Sequence, residues 1–199
     1  MPDRRSLRTV LALAAALPLA ACLSFGEDPP DTLMTLTAEQ QRAVGTGQSI
    51  APGEAVTVLP PSVPQALATQ RVAVQASTTG IAYLKDAQWV EEPNRLFRSL
   101  LSETIAARSG RPVLDLRQYA LSPGARLGGR LERFGLDATT QAAVVTFDGT
   151  YARGEGAPIL SRRFEARVPV SAETAAGVAP ALNRAANQVA IEVADWIGR

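Results

Sequence analysis

"RVAVQASTTGIAYLKDAQWVEEPNRLFRSLLSETI", residues 71–105, changes its hydrophobic period partway through, and that change decides the fold class. In "TQRVAVQAS" Val72 and Val74 alternate with polar or small neighbours, the two-residue repeat of a strand with one buried face. A turn at Gly80 leads into "GIAYLKD", a second strand candidate close in sequence to the first. Past Trp89 the repeat lengthens: Leu96, Phe97, Leu100, Leu101 and Ile105 fall on one face of a helix. Pro93 suits the first helical position, Glu91 and Glu92 complement the helix dipole, and Gly110 is the expected stop.

Toward the C terminus, "PVLDLRQYAL", "RLGGRLERFGL", "TQAAVVTFDGTYAR" and "PILSRRFEARVPV" all have strand character. The last two are expected to pair antiparallel across residues 154–158. Asp148-Gly149 is itself a hairpin signal, but the Gly154 to Pro158 segment is the stronger breaker, so the strand should run through Asp148. A final helix is expected, with Ser171 capping a first turn and Pro180 restarting the helix. Its apolar stripe is Leu182, Ala186, Val189, Val193, Trp196 and Ile197. Toward the N terminus, "TLMTLTA" is a candidate first strand, and residues 45–66 form a Gly- and Pro-rich stretch around a short "AVTVL" strand. The order implies a single α/β domain over residues 33–199, with a mixed β-sheet and helices packed largely on one face.

Composition narrows the chemistry. The 199 residues include no histidine, one cysteine and Lys85 as the sole lysine. Without imidazole there is no Ser-His-Asp or Cys-His pair and no histidine-ligated zinc; a single thiol allows neither an internal disulfide nor a thiolate cluster. The expectation is a protein that is not an enzyme, with no catalytic, metal or cofactor site. Glu91 and Glu92 are neighbours and point apart, unlike a glycosidase pair. Ala82 stands three residues before Lys85 where a Ser-x-x-Lys motif needs serine. The glycines of "GTGQS" (45–49) and "GARLGG" (124–129) lack the Lys-Ser/Thr ending of a phosphate loop and read as turns or strand irregularities.

The lone cysteine lies in "LPLAACLSFG", residues 17–26. Arg4, Arg5 and Arg8 precede an apolar run from Val10 to Leu19, too short to span a bilayer and ordered like a secretory signal. Leu19-Ala20-Ala21-Cys22 resembles the lipobox of bacterial lipoproteins. That resemblance implies cleavage after residue 21 and a diacylglycerol on the Cys22 thiol, with an amide-linked acyl chain such as palmitate. Residues 1–21 are then a signal peptide, residues 22–32 a lipidated cysteine and flexible tether containing paired prolines, and several acyl chains give a stable anchor. Leu23, rather than aspartate, implies sorting to the outer membrane. Cleavage takes three arginines from 20 and one aspartate from 19, leaving 17 basic and 18 acidic residues and a net charge of −1, which argues against nucleic-acid binding.

Residues 71–105, with Tyr83, Trp89, Pro93, Leu96, Phe97 and Leu100 in their order, resemble the central motif of the ABC-type transport auxiliary lipoproteins, the family that includes PqiC. "ALSPGARLGGRLERFGLD" and the closing "VADWIGR" extend the similarity, although the region before Arg71 matches only in character. The resemblance implies a fold like the amino-terminal domain of TolB. It also implies a periplasm-facing subunit of an ABC system whose substrate-binding protein carries an MCE domain, together with its permease and ATPase, moving phospholipids or similar apolar molecules. A homo-oligomer built on an exposed edge strand is possible. The alternative is a stand-alone lipid carrier with an acyl pocket between the sheet and the helix of Leu96 to Ile105. Trp89, Tyr83 and Pro93 are the candidate partner-binding residues. For Trp89 and Tyr83 the competing reading is core packing, and Trp196 is core by default. Arg162, Arg163 and Arg167 offer a basic face for lipid headgroups, against the plainer reading of solvated strand charges.

Overall fold

Alternation of apolar and polar residues over 125–169 builds the longest pairing in the molecule. The computed structural model describes residues 32–45, 47, 51, 53–115, 118, 124–154 and 156–198, so Cys22, Leu23 and the signal-like segment lie outside the described residues. Its strands are β1 (Val56–Val58), β2 (Arg71–Gln75), β3 (Ile81–Gln88), β4 (Val113–Leu114), β5 (Ala125–Asp137), β6 (Ala142–Ala152) and β7 (Ile159–Pro169). Its helices are α1 (Pro93–Ser109) and α2 (Ala175–Ile197), and a 3-10 turn spans Gln65–Leu67.

β5 is the axis of a mixed sheet. Along one side it pairs antiparallel with β6, which pairs antiparallel with β7. Its other side is shared by two parallel strands, β1 beside Ala125 to Leu127 and β2 beside Gly135 to Asp137. β4 adds outside β1 and β3 outside β2. β6 runs unbroken through Asp148-Gly149, which face Arg163 and Arg162, as the sequence led us to expect.

α1 and α2 pack against each other, and α2 crosses β6 and β7. From the strands, Leu127, Leu131, Phe134, Leu136, Val145, Phe147, Tyr151 and Phe164 enter the core under these helices. A run of ring contacts passes through the interface: Trp89 to Phe134 (5.3 Å), Phe134 to Phe97 (6.3 Å), Phe97 to Phe147 (5.3 Å), Phe147 to Phe164 (6.5 Å) and Phe164 to Trp196 (5.5 Å). Ala181, Ala185, Ala186, Ala190 and Ala194 bring α2 close to these rings. α1 starts at Pro93 and stops at Gly110, whose φ of 64° is the left-handed conformation that glycine takes at no steric cost.

Four local expectations are corrected. "TLMTLTA" forms no strand; only Met34 makes an isolated bridge, to Trp89, because the backbone beyond it bonds to side chains of α2. Of "PVLDLRQYAL" only Val113 and Leu114 join the sheet. The Asp115 carboxylate accepts from the Gln118 N–H at 2.9 Å, a local side-chain bond in place of a sheet bond, and most of the remaining stretch lies outside the described residues. Thr174 rather than Ser171 caps α2, its hydroxyl accepting from the Gly177 N–H at 3.3 Å. Pro180 sits inside α2 instead of restarting it, so Ala176 loses the intrahelical bond that position 180 would have donated.

Candidate functional site

The N-terminal segment is strapped across the helix layer. Met34 N–H donates to the Gln88 carbonyl at 2.7 Å and Val90 N–H to the Met34 carbonyl at 2.9 Å. Farther along, Thr37 N–H donates to Asn183 Oδ1 and Glu39 N–H to Asn187 Oδ1, both at 2.8 Å. Asn187 Nδ2 returns a bond to the Thr37 carbonyl at 2.9 Å. Asn187 is only 1 % exposed, so its amide pairs the strap as a neighbouring strand would, inside an otherwise apolar helix face. Arg42 N–H then reaches Glu103 Oε1 on α1 at 3.0 Å. The strap begins a few residues after the expected tether and fixes where the folded domain meets it.

The sheet face opposite the helices carries paired charges. Arg163 forks onto both oxygens of Asp148 at 2.6 Å, and Arg130 meets Glu132 at 2.8 Å. Thr146 Oγ1 donates to Glu165 Oε2 at 2.8 Å, and Arg167 Nε reaches the other oxygen of Glu165 at 2.8 Å. Asp137 ends this ladder, bonded by Thr139 Oγ1 at 2.6 Å and Arg133 Nη2 at 2.9 Å. The Thr139 hydroxyl, then Arg133 and the Thr140 N–H, hold its carboxyl down to about 2 although burial opposes them. Arg163 lowers the pKa of Asp148, and the Thr146 hydroxyl that of Glu165. Arg162 points to the other side, 5.0 Å above the Phe164 ring. Arg162 therefore shares no face with Arg163 and Arg167, which are paired with carboxylates, and the plainer reading of solvated strand charges holds.

Next to this ladder lies an apolar cleft of about 260 Å³. Ala73, Gly135 and Val144 form its floor, Pro64, Ala66 and Leu67 overhang it, and Ile81 stands at its mouth with Gln75 and Arg133. The β5 bulge between Leu131 and Arg133 lies at this cleft, with Glu132 and Arg133 in its lining. The expected acyl pocket between sheet and α1 is occupied by side chains: Leu96, Phe97, Leu100, Leu101 and Ile105 are all buried in the core.

The candidate residues are not brought together. Trp89 is 1 % exposed and packs on Phe134, so of its two readings the structure gives core packing. Its indole N–H has no partner in the described structure. Pro93 is buried at the start of α1. Tyr83 is half-buried; its hydroxyl donates to the Ala66 carbonyl at 3.4 Å and its ring lies 4.2 Å under the Arg71 guanidinium. Two glycines of "GARLGG" serve close strand approach: a Cβ on Gly124 would collide with the Ala55 carbonyl oxygen, and one on Gly129, at φ +143°, with the Asp148 carbonyl oxygen. Sequence reasoning missed Asn183 and Asn187, although two asparagines four apart on a helix face rich in alanine and valine were a visible signal. Among the described residues no group of three or more acidic or thiol side chains could hold a metal, and no helix is long and apolar enough to cross a membrane.

The family model for the ABC-type transport auxiliary lipoprotein component matches residues 34–194. A search of curated proteins finds no match. Among solved structures, protein XCC0632 from Xanthomonas campestris is similar at 18 % identity, covering 84 % of this chain and 95 % of its own, with a TM-score of 0.69. An uncharacterized protein of known crystal structure is similar at 16 % identity, covering 76 % of this chain and 96 % of its own, with a TM-score of 0.63.

Proposed function

The chain belongs to the ABC-type transport auxiliary lipoprotein component family, and on that premise we propose that it is a lipid-anchored subunit of an MCE-type transport system. The observation that carries this reading is where the match begins. It starts at Met34, the first of the described residues to bond the folded domain, and leaves ahead of it a segment containing the lipobox-like Leu19 to Cys22. Acyl chains on Cys22 hold the outer membrane, the tether sets the reach, and the strap joins the tether to α1 and α2. The domain docks the MCE-domain protein on the periplasmic side, and the permease and ATPase supply the energy for moving phospholipids or similar apolar molecules. The domain contributes binding and position rather than bond chemistry.

Palmitate labelling and membrane fractionation of Cys22→Ser test the anchor. The expected outcome is loss of label and an unprocessed or soluble protein. Unchanged labelling and outer-membrane recovery would overturn the reading.

A further inference from the structure

We propose that the cleft under residues 64–67 binds one unbranched aliphatic chain ending in an anionic group, a site distinct from partner docking and independent of it. The argument starts from a change of character along one sheet face. Between β5 and β7 that face is polar, with Arg130 joined to Glu132, Arg163 to Asp148, and Thr146 and Arg167 both to Glu165. Toward β2 and β3 it turns apolar, and the apolar part coincides with the cleft. Gln75 and Ile81 pair across β2 and β3, as do Ala73 and Tyr83, so these side chains share the face that Gly135 and Val144 occupy on β5 and β6. Ile81 is 48 % exposed at the mouth, an apolar side chain left in water where a strand would ordinarily present a polar one.

The size selects a narrow ligand. A volume of about 260 Å³ lies just under the span of about 300–1,000 Å³ for sites that enclose whole drug-sized molecules. An alkyl chain fits the lining, because burying its methylenes against Ala66, Leu67, Ala73 and Val144 releases water from both surfaces. Charge selects the end group. Glu132 at the rim is neutralised by Arg130, and Arg133 already holds Asp137. Arg71, two residues before Ala73, lies over the Tyr83 ring and has no ion-pair partner among the described residues. Arg71 is outside the cleft lining, but the Tyr83 it covers is bonded to Ala66 of the overhang, so its donors are the nearest ones left for a carboxylate or phosphate at the cleft's end.

Calorimetric titration tests this with the chain from residue 22 carrying Cys22→Ser, whose core lies wholly within residues 34–197. The probes are decanoate below its micelle concentration, decan-1-ol and dioctanoylphosphatidylglycerol. The expected result is saturable one-to-one binding of decanoate or of the phospholipid, and whichever binds identifies the source of the chain. Ala73→Phe fills the floor, and Ile81→Asp places a charge at the mouth without disturbing buried packing. Each should weaken binding about tenfold or more while circular dichroism stays unchanged. Arg71→Gln should weaken decanoate several-fold and leave decan-1-ol as it was. Absence of saturable binding to any probe, or binding untouched by both Ala73→Phe and Ile81→Asp, overturns the site. Equal affinity for decanoate and decan-1-ol overturns the role of Arg71. Because no transporter component is present, failure here is distinct from failure of the anchored-subunit reading.

Discussion

The two faces of this sheet are built from the same three long strands and do different work. On the helix side, Phe147, Phe164 and Tyr151 meet α1 and α2 in a closed aromatic interface, where stability comes from excluded water and close packing. On the open side, the intervening residues Thr146, Asp148, Arg163 and Glu165 satisfy one another in the presence of solvent, where each pair contributes little. One face therefore holds the fold, and the other is free to take up binding properties at small cost to stability.

Substitutions on the two faces should separate widely. Phe147→Ala removes the ring between Phe97 and Phe164 at a fully buried site and should destabilise by about 3–5 kcal/mol in urea unfolding. Asn187→Ala leaves the Glu39 N–H and the Thr37 carbonyl without their partner and should cost about 1–3 kcal/mol. Hydrogen exchange should accelerate over residues 36–42 while the β5–β6 ladder stays protected. Equal acceleration in both regions would mean that the strap is no separate unit.

Asp137→Asn probes the single buried carboxylate of the open-face ladder and should cost about 2 kcal/mol at neutral pH. Its folded pKa of about 2 is below the ordinary 3.8, so its contribution is complete above pH 3.8 and fades as pH falls through 2. The stability gap between wild type and Asp137→Asn should close over that window. A gap that is constant with pH would assign the loss to packing instead. The smallest effect is expected from Arg163→Ala: its pair with Asp148 is short, but the arginine side chain is 66 % exposed, and the change should stay below about 1 kcal/mol. A cost approaching that of Phe147→Ala would break the contrast between the faces.

Legibility in the sequence followed the range of the interactions. α1 was readable from Pro93 to Gly110 because its stripe, start and stop all lie within the helix itself. β5, β6 and β7 were readable because adjacent strands carry matching alternation, and the Gly154 to Pro158 breaker outweighed Asp148-Gly149. "TLMTLTA" was misread because its backbone bonds end on Asn187, 148 residues away from Glu39, and nothing near Glu39 announces them. Trp89 stayed open between core packing and a partner contact because it follows a strand and precedes two glutamates; what decides for the core is Phe134 of β5, distant in sequence. The cleft was hidden for the same reason, since its floor, overhang and mouth come from segments far apart in the chain.

The most direct test of the central claim, a lipid-anchored subunit that works through a transporter partner, is recovery of the complex. The envelope is solubilised gently, the lipidated chain is purified by a C-terminal tag, and what accompanies it is identified by mass spectrometry. The account predicts an MCE-domain protein, with or without its permease and ATPase, lost when Cys22→Ser replaces the anchored chain. Recovery of the lipidated chain with bound lipid and no such protein would contradict it.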